Sequence, residues 1–497
     1  MKSGIVVQVF TILTLFLYII FAAPLVIAAT DRTFASFLFT VAYEIAAFAV
    51  AIELAELLVA TGLPDRRHPS ASSIDTAKIR VAVLYVCRDD ADSEALQALH
   101  TLRDVDIFLL DDSDSSAART LVDSVGYRVV RRGTHVGFKA GNLNYWLALY
   151  GRSYHYFLVL DSDSVVSNTA LWELVYYAEH PANSDVAIVQ SSIVARPGNR
   201  FQTQVAGHSM LRRRILLRLH DRIGWTLSEG HNNLHRAAAL LEVNGFDTSA
   251  SCEDTIVSLR LTSHGWRIIR VDTQTFDAEP NNVFAYRRRS VRWTRQTVDA
   301  ILAVRGGTGI RPTVLLARHL IAHLLPTIWL TMLGLLVITM LGSDSGGFTG
   351  RMMWFEAMPW LRISLASLWG GVFTLIALRL YCWQREGGTG AGFLSFTLIS
   401  GAVASFSSMH TTLGLLRSFL VDQTKFLPTG SKRTDDVHIG PVWRGMAGPW
   451  FLAAFGLGSQ LLDRTGAGGI MVALPLAVGV SAPLVLSWFH HDQVDGR

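Results

Sequence analysis

Acidic residues follow three apolar runs of the sequence, and they are the first candidates for chemistry. Each run is rich in β-branched and apolar residues, which is typical of a buried strand. Carboxylates at the ends of buried strands suit metal or sugar binding. The acidic residues are Asp89 after the run 79–86, Asp112 after the run 105–110, and Asp161 with Asp163 after the run 156–160.

The pair Asp161 and Asp163 has the spacing D-x-D on the turn after the third run. Hard cations prefer carboxylate oxygens, and Mg²⁺ is typically held by one or two carboxylates together with phosphates. The pair therefore predicts a Mg²⁺ or Mn²⁺ site. An ordinary polar turn is the alternative, since Asp and Ser are common turn residues.

Lys139 and Asn142 lie in the stretch GFKAGNLN between the second and third runs. A lysine in a glycine-rich turn before a helix suits a diphosphate or a sugar hydroxyl. A plain helix N-cap at Asn142 is an equal alternative.

Glu253 and Asp254 follow Cys252 and precede a helical pattern over 255–264. Acidic residues stabilise a helix N-terminus, which would explain both residues structurally. The functional interpretation is a general base at the mouth of a site, taking a proton from a hydroxyl. Upstream, Gly230, His231 and Asn232 form a short polar motif.

Five arginines occur between residues 287 and 295, and Trp293 directly follows Arg292. Arginine binds phosphate in a bidentate manner, and tryptophan offers a face to a sugar. Binding to anionic lipid headgroups is the alternative. Nucleic acid is disfavoured because no interleaved aromatic stripe or RNA-binding signature is present.

The elements that must position these residues alternate between strand and helix. That pattern predicts an α/β fold with a doubly wound sheet. In such sheets ligands bind beyond the carboxyl ends of the strands, where the acidic residues fall.

Apolar segments flank this central region on both sides. Spans are predicted at 5–29, 34–60, 320–341, 361–382, 447–462 and 469–489, because a crossing takes roughly 20 apolar residues. A secretory signal peptide is the alternative for the first. We expect two N-terminal transmembrane helices in 1–62, a catalytic domain in 63–312 and a C-terminal membrane region in 313–497.

The distribution of lysine and arginine predicts that the N-terminus, the central domain and the loop 421–446 are cytosolic. That orientation leaves the apolar segment 392–420 without a full crossing. We therefore predict an interfacial or re-entrant segment there. A full crossing, with another segment not crossing, is the alternative.

The composition excludes several classes of protein. Half of the 497 residues are hydrophobic and 17% are charged, which excludes an intrinsically disordered chain and argues against a wholly soluble one. The three cysteines are too few and scattered for a disulfide framework or a zinc site.

The ordered set of Asp112, D-x-D, Glu-Asp at 253–254 and Arg-Trp at 292–293, between apolar segments, resembles the membrane-embedded family 2 glycosyltransferases. Arg289 gives the form R-x-x-R-W. That form resembles the glucan glucosyltransferase H group, which makes the β-1,2-linked backbone of osmoregulated periplasmic glucans. The stretches YVCRDD, RFQ, GHN and DAEPNN are similar to that group as well.

The resemblance implies a GT-A type domain and a role for each matched residue. Asp254 would be the catalytic base, and Asp161 with Asp163 would bind Mg²⁺ or Mn²⁺. The donor UDP-sugar would contact Cys87, Asp89, Asp112, Lys139, Asn142, Asp161, Arg289 and Arg292. The acceptor would contact Gly230, His231, Asn232, Glu253 and Trp293.

The function that the resemblance implies is inverting transfer of glucose from UDP-glucose to a growing β-glucan at a bacterial inner membrane. The enzyme would be processive and would pass its product across the bilayer. Whether it has a periplasmic partner is left undecided. One alternative is transfer of a single sugar to a lipid carrier. The other is a transporter whose cytosolic domain senses a nucleotide.

Overall fold

The computed structural model describes most of the chain. The described residues are 3–28, 34–207, 211–212, 215–249, 252–304, 313–325, 327–328, 359–420, 482 and 484–486. The predicted loop 421–446 and the predicted span 447–462 lie outside them.

Seven strands form one sheet in the order β3-β2-β1-β4-β6-β5-β7. Neighbouring strands are parallel except for β6, which runs antiparallel to β4 and β5. Apolar, β-branched sequences make these strands suitable for burial on both faces. The strands are β1 Val81–Cys87, β2 Asp106–Asp111, β3 Arg128–Val130, β4 Tyr156–Leu160, β5 Val186–Ala195, β6 Asn233–Arg236 and β7 Arg267–Asp277.

Helices cover both faces of the sheet and flank it in the chain. They are α1 Ser3–Ala28, α2 Phe34–Gly62, α3 Ser93–Ala98, α4 Ser116–Asp123, α5 Phe138–Tyr150, α6 Asn168–Glu179, α7 Arg200–Val205, α8 Asp221–Ile223, α9 Ala237–Glu242, α10 Glu253–Ser263, α11 Val283–Val304, α12 Thr313–Leu325, α13 Pro359–Arg385 and α14 Gly390–Leu420.

Two apolar cores hold the sheet between its helices. One core joins β1, β2 and β4 to α3 and α6. The other packs α5, α9 and α10 on the opposite face, around the fully buried Trp146. Burial on both faces fixes the strands rigidly, so their ends meet at a defined edge. The predicted fold class, an α/β domain between apolar helices, is confirmed.

Three helical segments are long and apolar enough to cross a membrane: Gly4–Ala22, Thr40–Gly62 and Ala366–Arg385. The helices that contain them, α1, α2 and α13, pack against one another. Part of a fourth predicted span falls within α12, and its remainder lies outside the described residues. The segment predicted to be interfacial or re-entrant forms a single helix, α14. Its placement in a bilayer stays a prediction.

The acidic residues of α2 pair with protein groups, as polar groups in a membrane segment require. Glu44 accepts a hydrogen bond from Tyr18 at 2.7 Å, and Glu53 forms an ion pair with Arg379 of α13. The fully buried Glu56 contacts two basic residues, Arg318 of α12 and His220 of the central domain (2.9 Å). Glu56 therefore connects two membrane-proximal helices to the central domain.

Candidate functional site

The carboxyl ends of β1, β2 and β4 lie side by side. The strands are parallel, and their registers pair Cys87 with Asp111 and Tyr85 with Leu160. The residues that follow therefore emerge at one edge of the sheet. The three acidic strand ends seen in the sequence converge there, as expected for ligand binding in an α/β sheet.

The loops after β1 and β2 hold each other through hydrogen bonds. The Asp89 carboxylate accepts from the backbone amides of Asp114 and Ser115, at 3.0 and 2.7 Å. The Asp89 amide donates to the hydroxyl of Ser113 at 2.9 Å. Cys87 is buried beneath them, with its sulfur 3.7 Å from a carboxylate oxygen of Asp111. Asp89 and Cys87 thus support the shape of this end of the site.

Asp112 is buried and forms an ion pair with Arg132, whose Nε donates to it at 2.9 Å. Arg131 pairs in the same way with Asp111, at 2.7 Å. Sequence reasoning missed both arginines. Their signal was a basic pair directly after β3, at the same edge of the sheet as the acidic residues.

Lys139 and His231 lie on either side of Asp161. Lys139 forms an ion pair with Asp161 and donates to the carbonyl of Gly230 at 3.0 Å. Nδ1 of His231 lies 3.7 Å from the other Asp161 oxygen. Burial alone would raise the pKa of Asp161, but Lys139 and His231 outweigh burial and lower it. Asp161 is therefore ionised and held in place.

Asp163 lies next to Asp277, a residue at the end of β7 to which sequence reasoning gave no role. Hydrogen bonds of 2.8 Å between the backbones of Val165 and Phe276 bring the two segments together. Burial and the charge of Asp277 raise the pKa of Asp163 well above its ordinary value. His231 contacts Asp277 through Nε2 at 2.7 Å. Only the pairing of β7 with the loop after β4 reveals this proximity.

The edge fits a divalent cation in part. Within the described ranges, no group of three or more His, Cys, Asp or Glu side chains is arranged to hold a metal ion. Two carboxylates and a phosphate suffice for Mg²⁺, however. Asp163 lies in excess negative charge, and the buried Oδ1 of Asp277 has no hydrogen-bond partner in the described part of the chain. A cation beside Asp161 and Asp163 would offset the excess negative charge at Asp163 and would offer a partner to the Oδ1 of Asp277.

Asp254 lies in the first turn of α10 and contacts the motif Gly230–Asn232. One carboxylate oxygen accepts from the amide of Thr255 at 2.7 Å. Gly230 has φ +81°, and a Cβ there would lie 3.1 Å from Asp254 Oδ2. Glycine is therefore needed both for the backbone angle and for the close approach.

The neighbouring acids Glu253 and Asp254 both have raised pKa values. Burial and the charge of Asp254 raise the pKa of Glu253 to about 7. Burial also raises the pKa of Asp254, although Lys139 and His231 oppose the change. A carboxylate that titrates nearer neutrality is a better proton acceptor than an ordinary aspartate.

The predicted R-x-x-R-W motif lies on α11, and its two arginines have different partners. Arg292 is near Asp161, Glu253 and Asp163, which act on its pKa, although burial lowers that pKa overall. Arg289 instead forms an ion pair with Glu279, at 2.7 Å. The Trp293 side chain is exposed. The site thus brings Arg292 to the D-x-D residues and Arg289 to a different acidic group.

Asn142 and Asn232 are buried, at 1% and 0% exposure. Neither side-chain atom of Asn142 has a hydrogen-bond partner within the described residues. Asn232 has φ +53°, so it supplies the turn after His231. The predicted binding roles of both asparagines stay predictions.

A buried ion pair supports the Gly230–Asn232 motif from behind. Glu229 pairs with Arg270 at 2.9 Å, and Arg212 lies 3.8 Å from the same oxygen. Burial would raise the pKa of Glu229, but Arg270 and Arg212 lower it to about 2. The amide of Glu229 also donates to Gln190 of β5 at 2.8 Å. The motif is therefore fixed to the sheet.

Comparison with known proteins extends these observations. Residues 156–382 match the family model "Glycosyl transferase family group 2". Relatives named glucans biosynthesis glucosyltransferase H include one from Caulobacter vibrioides, 25% identical over 233 residues, which cover 40% of this chain and 33% of that protein. One from Klebsiella pneumoniae is 24% identical over 456 residues, covering 80% and 52%. The resemblance to the family 2 glycosyltransferases is confirmed.

The relatives are also of the glucosyltransferase H group that the sequence motifs indicated. The chain spans a third to about half of the length of these relatives. Among solved structures, a mannosyltransferase from Pyrobaculum calidifontis in complex with GDP-Man and Mn²⁺ is 16% identical, with a TM-score of 0.46, covering 69% of this chain and 99% of that one.

We predict that Glu229→Gln lowers the stability of the protein. The change leaves the Arg270 cation buried (5% exposed) without its counter-charge, which costs roughly 3–5 kcal/mol. In the wild type, the ion pair of Glu229 contributes its full stabilisation above pH 4.5, the ordinary pKa of glutamate, and loses it as the pH falls toward 2. The thermal unfolding midpoint of the purified protein measures the effect.

Glu94→Gln is the matched control, because Glu94 pairs with Arg196 but is 76% exposed. An exposed pair contributes about 0–1 kcal/mol, so its loss lowers the midpoint only slightly. Equal effects of the two substitutions would contradict the interpretation of Glu229 as a structural ion pair.

Proposed function

We propose that the chain is an inverting, processive membrane glucosyltransferase that transfers glucose from UDP-glucose to a growing β-1,2-glucan. The proposal rests on one observation, which is that five charged or titratable side chains surround one edge of the sheet. They are Lys139, Asp161, His231, Asp254 and Arg292. Such an edge supplies cations for a departing diphosphate and a carboxylate for an acceptor hydroxyl. The glucosyltransferase H relatives support glucose and a glucan.

The proposed reaction is a single displacement. Asp254 takes the proton of the acceptor hydroxyl as its oxygen bonds to C1 of the donor glucose. The bond between C1 and the phosphate oxygen breaks, and UDP leaves with the electron pair. Attack opposite the leaving group inverts the anomeric centre, so an α-linked donor gives a β-linked product.

The cationic side chains stabilise the charge that develops on UDP. Arg292 and Lys139 are pre-positioned at the donor end, so they require no reorganisation as the charge develops. Asp161 and Asp163 would hold a Mg²⁺ or Mn²⁺ ion, which when bound neutralises phosphate charge. Asp112, Asp89 and Cys87 lie toward the nucleoside end of the proposed donor site.

We further propose that the catalytic domain is cytosolic in a bacterial inner-membrane protein and that the product crosses the bilayer. The basic residues of the central domain support this orientation. The acidic residues of α2, paired with Tyr18, Arg379 and Arg318, provide polar groups along a helix long enough to cross.

The first test compares wild type with Asp254→Asn in detergent, with UDP-glucose and Mg²⁺ or Mn²⁺. We expect UDP release and a polymer that a β-1,2-glucanase digests, and we expect the variant to lose at least about a hundredfold in rate, the usual contribution of a general base. UDP release is followed continuously, and the product is sized after digestion.

Other outcomes separate the alternatives. UDP release with a single sugar on a lipid indicates a non-processive transferase. UDP binding without release in the wild type indicates a nucleotide sensor and overturns the proposal. A resistant polymer changes only the linkage or sugar.

A second prediction concerns the close approach of Gly230 to Asp254. In Gly230→Ala the new Cβ meets the Asp254 carboxylate at 3.1 Å, so it displaces the base. We expect the rate of transfer to fall at least tenfold. Gly126→Ala is the matched control, since Gly126 has the same φ of +81° and a Cβ there meets no described atom within 4 Å. Equal losses in both variants would attribute the effect to backbone strain alone.

A third prediction concerns pH. Burial raises the pKa of the base Asp254 above its ordinary value of 3.8, although Lys139 and His231 oppose the change. The base is protonated below that pKa, so we expect kcat/KM to fall on the acid side at a higher pH than an ordinary aspartate would give. Burial and the charge of Asp254 raise the pKa of Glu253 to about 7, so Glu253→Gln removes any limb near pH 7 and leaves the limb that belongs to Asp254. A limb near pH 7 that persists in this variant would show that another group controls it.

A further inference from the structure

Arg289 lies between an acidic residue and an aromatic ring. Its guanidinium forms an ion pair with Glu279, with 2.7 Å between nitrogen and carboxylate oxygen, and both side chains are largely buried, at 14% and 13% exposure. Its central carbon lies 4.7 Å from the ring centroid of Trp293 and 5.2 Å from that of Tyr286. A guanidinium at this distance from an aromatic face is a cation–π contact.

The positions of the motif on α11 explain why its arginines diverge. Residues four apart in a helix lie one above the other, so Arg289 is placed to cover Trp293. Arg292, one residue before Trp293, instead feels the charges of Asp161, Asp163 and Glu253. One helix thus presents one arginine to the donor end and the other to the tryptophan.

Glu279 is itself fixed by the helix α7. The side chain of Gln202 donates to the carbonyl of Glu279 at 2.6 Å, and that of Asn199 donates to the carbonyl of Asn281 at 2.9 Å. Asn199 and Gln202 also form the capping box that begins α7. The RFQ and DAEPNN stretches therefore meet, and together they hold the partner of Arg289.

Trp293 is suited to a saccharide. It is 40% exposed, and its ring centroid lies 6.4 Å from that of His323 of α12. The C–H bonds of a pyranose ring match the negative face of an indole. The Arg289 cation, held on one face of the Trp293 ring, fixes the plane of that ring for stacking with a sugar.

We propose that Arg289 is a positioning residue for the acceptor platform Trp293, held by Glu279, and that Arg292 alone of the two arginines binds the donor diphosphate. This departs from the donor role that the family resemblance implies for Arg289. It rests on the proposed function, and it connects the R-x-x-R-W form to Glu279. A glutamine at 289 has neither the charge nor the planar cation needed for this contact.

The test measures donor and acceptor binding separately in the full chain. UDP with Mn²⁺ probes the donor site by calorimetry, and short β-1,2-linked gluco-oligosaccharides probe the acceptor site through the KM for UDP release. We expect Arg292→Gln to weaken UDP binding about tenfold or more. We expect Arg289→Gln and Glu279→Gln to change the UDP Kd less than about twofold but to raise the acceptor KM about tenfold, which corresponds to about 1.4 kcal/mol.

Arg289→Lys keeps a charge for Glu279 but loses the planar guanidinium, so we expect an intermediate acceptor KM. Glu279→Gln carries the test if Arg289→Gln does not fold, since the cation remains. Loss of UDP affinity in Arg289→Gln equal to that in Arg292→Gln, or an unchanged acceptor KM in both the Arg289→Gln and Glu279→Gln variants, overturns the inference. Wild type that fails to bind UDP instead overturns the proposed function.

Discussion

Compensation of buried negative charge is the constraint on which this site depends. Parallel strands bring their carboxyl ends to one edge, and here those ends carry aspartates that would repel one another if left alone. Lys139 and His231 flank Asp161, and Arg132 pairs with Asp112. The basic groups come from the helix after β3, the loop before β6 and the end of β3, so the site forms only when the whole sheet is assembled.

The negative charges of the site are compensated to different degrees, and these differences determine what each carboxylate can do chemically. Asp161 is ionised and held, whereas Asp163 faces Asp277 in excess negative charge. Glu253 and Asp254 are half-buried side by side, and their raised pKa values show that both resist ionisation. One edge of the sheet thus contains a fixed anion, a region that favours a cation and a carboxylate ready to accept a proton.

Much of this arrangement is predictable from local sequence. The three apolar runs became β1, β2 and β4 within two residues of the predicted ends, and the predicted helix over 255–264 is α10. The D-x-D pair and Asp254 needed only their positions after a strand and before a helix. Local sequence patterns are sufficient where the structural neighbours of a residue are adjacent to it in the chain.

The remaining partners were beyond local reasoning because they depend on long-range pairing. Asp277 meets Asp163 only because β7 pairs with the loop after β4, and β6 enters the sheet antiparallel between β4 and β5. The ion pair of Arg289 with Glu279 likewise joins two segments that the sequence motif treats as separate. Motif matching identified Arg289, but its contacts gave it a different place from Arg292.

The contacts of Glu56 have a consequence for the order of assembly. Glu56 is made early in synthesis, His220 belongs to the central domain, and Arg318 emerges from the ribosome only after that domain is complete. Until then the buried Glu56 lacks its arginine, and removing one partner of a buried pair is strongly destabilising. The full set of contacts around Glu56 can therefore form only after the central domain has been synthesised, so its docking on the membrane helices is completed late.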